Sequence, residues 1–221
     1  MLIQLYRTGA DYISEHSDKT VDVVRSSRIA NLSLGARRTM TLRTKKDALA
    51  LAAGHGAATA ADGDHDQGNG DNDGSGANGG VRRTTQRIPL PHNSLFVMGL
   101  ETNARWMHSV HTDKRPEETK EPAERGQRIS LTFRHIGTFL TAPSPSPSTL
   151  AGQQQQFIFG NGATGKTRAE AKHVVHGGEE AERLLAAFGA ENHQSVFDWE
   201  KAYGKGFDVL HFTTSSVVSV G

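Results

Sequence analysis

No cysteine occurs anywhere in the chain, which excludes disulfides, thiolate zinc sites and cysteine nucleophiles. An excess of one charge is also missing: 25 Lys and Arg against 24 Asp and Glu leave a formal net charge of +1. No global basic field therefore points to nucleic acid, although a local patch remains open. Hydrophobic residues are scarce at 35%, while glycine takes 24 of the 221 positions, so part of the chain is expected to be disordered. No apolar run is long enough to cross a membrane, and Met1-Leu2-Ile3-Gln4 opens straight into strand-like sequence without a signal peptide. The expectation is an intracellular protein with no membrane partner, long enough for one medium domain and an appendage.

What is present is a succession of short strands. Leu2 to Tyr6 reads as a strand and Gly9-Ala10-Asp11 as a turn. Ile29 to Gly35 reads as a strand with a glycine stop, and Arg38 to Lys45 alternates with Met40 and Leu42 on one face. From Ala48 to Gly80 the sequence collapses into Ala, Gly, Asp and Asn, which predicts a disordered insertion at about 48–80. Asp62, Asp64 and Asp66 inside it begin like a calcium loop, but Gln67 stands where the loop needs Gly and Asp73 where it needs Glu. A solvated acidic linker is the better reading. Order resumes at Thr84–Leu90 and Ser94–Gly99, Asn103 to Val110 carries Trp106 and His108, and Arg128 to Ile136 is the last clear strand. A Pro/Ser- and Gln-rich linker at 143–156 follows. Beyond it the pattern predicts Phe157-Ile158-Phe159 as a strand, a helical stretch near Thr167–Val175, a helix over Glu179–Phe188 and a short strand over Phe207–Phe212. Short strands and turns predict a mainly β barrel or jelly roll over 1–142 and a small α/β extension over 157–221.

The triplet His16-Ser17-Asp18 is the first candidate for chemistry. On a strand, positions two apart point to one side, so His16 and Asp18 can face a common ion. With one distant His they would make the two-His-one-carboxylate facial triad of non-haem Fe(II) oxygenases. A second triplet, His111-Thr112-Asp113, lies in a charged stretch and reads as loop. In Arg128 to Arg134, the even positions Arg128, Ser130, Thr132 and Arg134 are polar and share one face. That is either a half-buried strand with two Arg in water or a pair of guanidiniums inside a barrel, able to clamp a carboxylate bidentately. Gly160 to Thr167 fits the P-loop pattern in full, but no apolar run ending in a magnesium-binding Asp follows. A glycine-rich turn that does not bind ATP is expected, with Lys166 facing solvent or paired with an acid such as Glu170.

Taken in order, these segments resemble the AlkB-like branch of the Fe(II)/2-oxoglutarate dioxygenases. That branch carries Asn-x-Tyr before HxD, a Ser-Leu-Gly or Ser-Phe-Gly strand after it, a distal His, and Arg-x-Asn-x-Thr-Phe-Arg. Here the counterparts are Gln4-Leu5-Tyr6, His16-Ser17-Asp18, Ser33-Leu34-Gly35, His108 and Arg128 to Arg134. The resemblance runs over about residues 2–137 and implies a double-stranded β-helix (jelly roll) with iron at its mouth. It implies His16, Asp18 and His108 as Fe(II) ligands, Arg128 and Arg134 as 2-oxoglutarate binders, and Tyr6 as a phenol donor to the same cosubstrate. Gln4 replaces the family's Asn and Ser130 the Asn of the Arg-x-Asn strand, both keeping a polar group. The implied chemistry couples decarboxylation of 2-oxoglutarate to succinate with hydroxylation of a substrate C–H bond. Alkylated nucleic acid or another N-methylated substrate is the implied partner. DNA-repair members place an acid where this chain has Thr20, and their nucleotide-covering segment precedes the barrel, so a fungal-looking chain shortened at its N-terminus is expected. The alternatives are an inactive oxygenase surviving as a binding module and a P-loop protein.

Overall fold

The computed structural model describes residues 1–47, 83–121, 126–141 and 156–210. The insertion expected at about 48–80 lies outside them, as does the expected linker up to residue 155.

Eight strands build two antiparallel sheets. The first contains β1 (Leu2–Tyr6), β8 (Arg128–Phe133), β3 (Arg28–Gly35) and β6 (Ser94–Gly99), hydrogen-bonded in that order. The second contains β2 (Ile13–His16), β7 (Trp106–Val110), β4 (Arg38–Thr44) and β5 (Thr85–Leu90). Chain-adjacent strands mostly sit in opposite sheets, which is the topology of a jelly roll. A short helix, α1 (Leu100–Arg105), leads into β7.

The pleat decides what each sheet faces. In β8, Arg128, Ser130 and Thr132 are buried, whereas Ile129 and Phe133 are 39% and 42% exposed. Its neighbour β3 buries Asn31 and Ser33 in register with Thr132 and Ser130. Strand β8 thus turns polar side chains inward, and β3 adds Asn31 and Ser33 beside the apolar Ile29, which lines much of this side of the barrel interior with hydrogen-bonding groups. Across from them the second sheet supplies the hydrophobic filling: Met40, Leu42, Leu90 and Val110 pack with Tyr6, and Trp106 leans on this cluster. A one-residue slip of β8 would put Arg128 outside, so the register with β1 and β3 fixes the interior chemistry. Gly35 closes β3 at φ +92, where an added Cβ would lie 2.4 Å from the Gln127 carbonyl oxygen.

A second unit follows. Strands β9 (Thr138–Leu140), β10 (Phe157–Gly160) and β11 (Lys172–His173) form a small antiparallel sheet. Helices α2 (Gly178–His193) and α3 (Trp199–Tyr203) come after it. Leu184, Tyr203, Phe207 and Val209 bury themselves against Val21, which belongs to the loop leaving β2. Asn161 Nδ2 donates to the carbonyls of Val21 (2.9 Å) and Val23 (3.1 Å), tying the unit to the same loop.

Three local expectations are corrected. Instead of a helix near Thr167–Val175 there is a three-residue 3-10 turn, Arg168–Glu170, followed by β11. Thr167 and Glu170 close a capping box on that turn, and Lys172 and His173 pair with Ile158 and Phe157. The strand expected over Phe207–Phe212 is, within residues 207–210, a single parallel bridge between Val209 and Val175. The helix expected over Glu179–Phe188 continues to His193, because its last turn is held by contacts from the barrel rather than by its own propensity.

Candidate active site

Strand β2 ends at His16, and Asp18 sits in the irregular loop beyond it. The strand alternation expected to align the two residues therefore does not operate. Their carboxylate and imidazole converge through loop geometry instead: Asp18 N donates to Asn103 Oδ1 at 2.8 Å, and Asn103 Nδ2 donates back to Asp18 O at 2.9 Å. Antiparallel pairing sets His16 of β2 directly opposite His108 of β7, and their rings lie 4.3 Å apart.

Asp18 Oδ1 is 3.8 Å from Nε2 of His16 and 3.8 Å from Nε2 of His108. All three donor atoms lie within 4.8 Å of one another, the one such group among the described residues. Metal–nitrogen and metal–oxygen bonds of about 2.1 Å at right angles put two donors about 3 Å apart. Each Asp18–His pair thus needs to close by about 1 Å, and the two imidazole nitrogens by up to about 2 Å, to embrace one ion. His16 Nδ1 lies 2.8 Å from the Ser14 carbonyl oxygen, which only accepts, so Nδ1 carries a proton in that bond and Nε2 is the nitrogen turned toward Asp18. Burial, reinforced by His16, pushes the His108 imidazole down to about 4, which keeps it neutral and able to donate a lone pair. Its Nδ1 is buried with no partner among the described residues.

The other Asp18 oxygen is occupied. Arg134, one residue past β8, donates to Oδ2 from Nε (2.8 Å) and Nη2 (2.5 Å). Arg134 continues the inward alternation of β8 as expected, and the pairing leaves Oδ1 alone directed at the two imidazoles.

Deeper in the same cavity lies Arg128, 1% exposed. Its Nη2 donates to Ser33 Oγ at 2.8 Å and its guanidinium stacks 4.9 Å over the Tyr6 ring. Nε and Nη1 are buried without partners, and burial lowers the guanidinium below its ordinary value. A buried cation with two unspent N–H groups and no carboxylate against it among the described residues is built to meet an anion. Asn31 donates to Ser130 Oγ (2.6 Å) and Thr132 Oγ1 (2.9 Å), ordering the floor beneath it. Gln4 and Tyr6 of β1 line the same cavity, and burial raises the Tyr6 phenol, keeping it a donor. Every residue expected at the site, namely Gln4, Tyr6, His16, Asp18, His108, Arg128 and Arg134, is therefore brought to one cavity. Asn31 and Asn103 escaped sequence reasoning, since a neutral amide within a strand or short helix carries no pattern of its own, and Ser33 reads only as part of the Ser-Leu-Gly strand, without its bond to Arg128.

The competing motifs resolve otherwise. Lys166 Nζ donates to the carbonyls of Ala163 (2.7 Å), Asn161 (3.3 Å) and Gly204 (3.4 Å), folding back into its own loop. The turn after it is a three-residue 3-10 helix, without the helical N-terminus a phosphate needs. Glu170 meets the backbone N–H of Lys166 rather than its ammonium. In the second HxD triplet, Asp113 is engaged by Arg115, which also holds Glu121.

Comparison with known proteins agrees with this geometry. Human DNA oxidative demethylase ALKBH2 is 29% identical over 136 residues, covering 62% of this chain and 39% of the relative. The mouse protein of that name is 30% identical over 138 residues, covering 62% and 42%. Human alpha-ketoglutarate-dependent dioxygenase alkB homolog 3 is 32% identical over 137 residues, covering 62% and 36%. The chain thus spans about two fifths of the length of these curated relatives. A family model matches residues 1–134, the stretch that holds all eight barrel strands, the three clustered donors and both arginines. On that match and that architecture, the chain belongs to the 2OG-Fe(II) oxygenase superfamily.

Proposed function

We propose that this chain is an Fe(II)- and 2-oxoglutarate-dependent oxygenase that removes an N-alkyl group, with an alkylated nucleic-acid base as the favoured substrate. The observation that carries the reading is the joint placement of three metal-type donors and a buried, unsatisfied guanidinium in one cavity. The name DNA oxidative demethylase on several relatives supports the substrate class.

In this reading His16 Nε2, Asp18 Oδ1 and His108 Nε2 would hold Fe(II), a donor set that suits a non-haem iron. When bound, Fe(II) and 2-oxoglutarate would supply, with dioxygen as the oxidant, decarboxylation to succinate and CO2 coupled to hydroxylation of a substrate C–H bond, one oxygen atom going to each product. The chain's residues do the holding. Arg128 offers Nε–H and Nη1–H to the distal carboxylate of 2-oxoglutarate, and Tyr6 adds its phenol O–H. Gln4 supplies a further polar group at the β1 wall. Arg134 fixes the direction of the Asp18 carboxylate by occupying Oδ2. Met40, Met98, Phe96 and Val110 line the remainder and exclude water from the reacting centre. A hydroxylated N-methyl group would then break its C–N bond and leave as formaldehyde, its hydroxyl proton passing to the nitrogen.

The test is the full chain with Fe(II), ascorbate and 2-oxoglutarate, with and without an oligonucleotide carrying an N-methylated base. Succinate formation that rises with the oligonucleotide, matched by formaldehyde, is expected. Succinate without formaldehyde on any nucleic acid would move the substrate to another N-methylated class, and no succinate at all would leave a binding module as the function.

A further inference from the structure

Residues 156–210 lie outside the stretch matched by the family model, yet they reach the ligand-bearing loop. Asn192 Oδ1, on α2, accepts from Ser17 N at 2.9 Å and Ser17 Oγ at 3.3 Å. Glu191, 4% exposed, accepts from Thr20 N at 3.0 Å and, in a short contact, from the Thr20 hydroxyl. Tyr203 OH on α3 donates to the other Glu191 oxygen at 2.8 Å. Lys45, at the end of β4, donates to the carbonyls of Glu191 (2.5 Å) and Gln194 (3.1 Å) and pins the end of α2 to the barrel.

The consequence lies in the backbone accounting. Once β2 ends at His16, no strand ladder serves the loop, and each N–H needs another acceptor. Ser17, Asp18 and Thr20 find theirs in Asn192, Asn103 and Glu191, so two of the three come from α2. Ser17 is the residue between His16 and Asp18; turning its peptide plane swings the Asp18 carboxylate relative to the imidazoles. The same face of α2 presents Phe188, Asn192 and His193 across an open groove from His16, Asp18 and Lys19.

We propose that α2 is a working part of the metal centre, with Glu191 and Asn192 as positioning residues that hold the His16-Ser17-Asp18 loop in the conformation able to close on a divalent ion. This rests on the reading of His16, Asp18 and His108 as ligands. Partners that orient metal ligands from outside are typically worth about 10- to 100-fold in metal affinity. Glu191 and Asn192 act through backbone N–H groups, and neither touches the ion.

The experiment is anaerobic Mn(II) titration of the full chain, with free Mn(II) counted by electron paramagnetic resonance, alongside a thermal melt of each variant. Every titration is run well below the variant's melting temperature, so loss of fold does not enter the affinity. Asn192→Ala and Glu191→Ala should each weaken Mn(II) binding by about 10- to 100-fold. Glu191→Gln, which keeps an acceptor for Thr20 but removes the charge, should recover most of the Glu191→Ala loss, and exposed Glu182→Ala should match wild type. If Glu191→Ala does not fold, half-buried Asn192→Ala decides alone. Wild-type affinity in both alanine variants, with only the melting temperature lowered, would overturn the proposal and leave α2 a structural prop. Failure of Glu191→Gln to recover affinity would assign the effect to charge and also overturn it. Wild type that binds no Mn(II) would instead sink the ligand assignment itself, a distinguishable failure.

Discussion

Replacing Arg128 by methionine should separate what the residue does for the fold from what it does for the cosubstrate. Arg128 is buried with Nε and Nη1 unpartnered, and a buried unsatisfied donor costs about 1–3 kcal/mol. Methionine of similar length removes that cost. It forfeits the bond to Ser33 and the stack on Tyr6, together about 2–4 kcal/mol. The terms nearly cancel, so the cosubstrate-free variant should melt within about 5 °C of wild type, at about 2–4 °C per kcal/mol for a chain of this size. Cosubstrate binding should fall far more. Losing a desolvated charge partner costs about 2–5 kcal/mol, which at 1.4 kcal/mol per tenfold is about 30- to 3,000-fold in Kd. The assay is a thermal shift of Mn(II)-loaded protein against 2-oxoglutarate. At about 100 times the wild-type Kd, wild type should gain about 2.7 kcal/mol, or about 5–10 °C. Arg128→Met, with Kd raised about 100-fold, should gain about 0.4 kcal/mol, a shift of about 1 °C. A variant that still shifts like wild type refutes the clamp; one that melts tens of degrees lower shows Arg128 to be a structural pivot.

Other expectations are more compact. Gly35→Ala sets a Cβ against the Gln127 carbonyl at a positive φ, which should destabilise by about 1–3 kcal/mol in urea melts and weaken 2-oxoglutarate binding by shifting the start of β8. Mg-ATP should give no binding heat with wild type or Lys166→Ala; micromolar binding lost in the variant would restore the P-loop reading. Burial pulls Lys45 down to about 8 from 10.5, so the folded state resists its charge, a cost fully present below about pH 8 and fading toward pH 10.5. Wild type should therefore gain stability relative to Lys45→Met between about pH 8 and 10 in chemical melts, and a difference independent of pH would refute the assignment.

Legibility in the sequence followed the range of the forces involved. The alternation of Arg128 to Arg134 is a local, period-two pattern that put Arg128, Ser130 and Thr132 on one face and Ile129 and Phe133 on the other; which face is inside followed from the family resemblance, and the structure buries the polar one. The jelly roll was legible from strand succession together with the family resemblance. Asp18 shows where local reasoning stopped: it meets His16 and His108, but from a loop fixed by Asn103 and Asn192, far away in sequence. Such contacts leave no periodicity at either end. Strand β9 was missed because three residues acquire strand form only by pairing with β10. The turn at Arg168–Glu170 was misread because its propensity favours helix, while the Thr167 capping box and the pairing of β11 end it at once. Arg134 was expected on the cosubstrate; its tie to the Asp18 carboxylate became visible only with both side chains in place.

The central claim is that His16, Asp18 and His108 close on one divalent ion. Anaerobic Fe(II) titration of wild type and Asp18→Ala by isothermal calorimetry tests it most directly. One site per chain in wild type, lost in the variant while the barrel stays folded, is the predicted result; equal affinity in both proteins would contradict it.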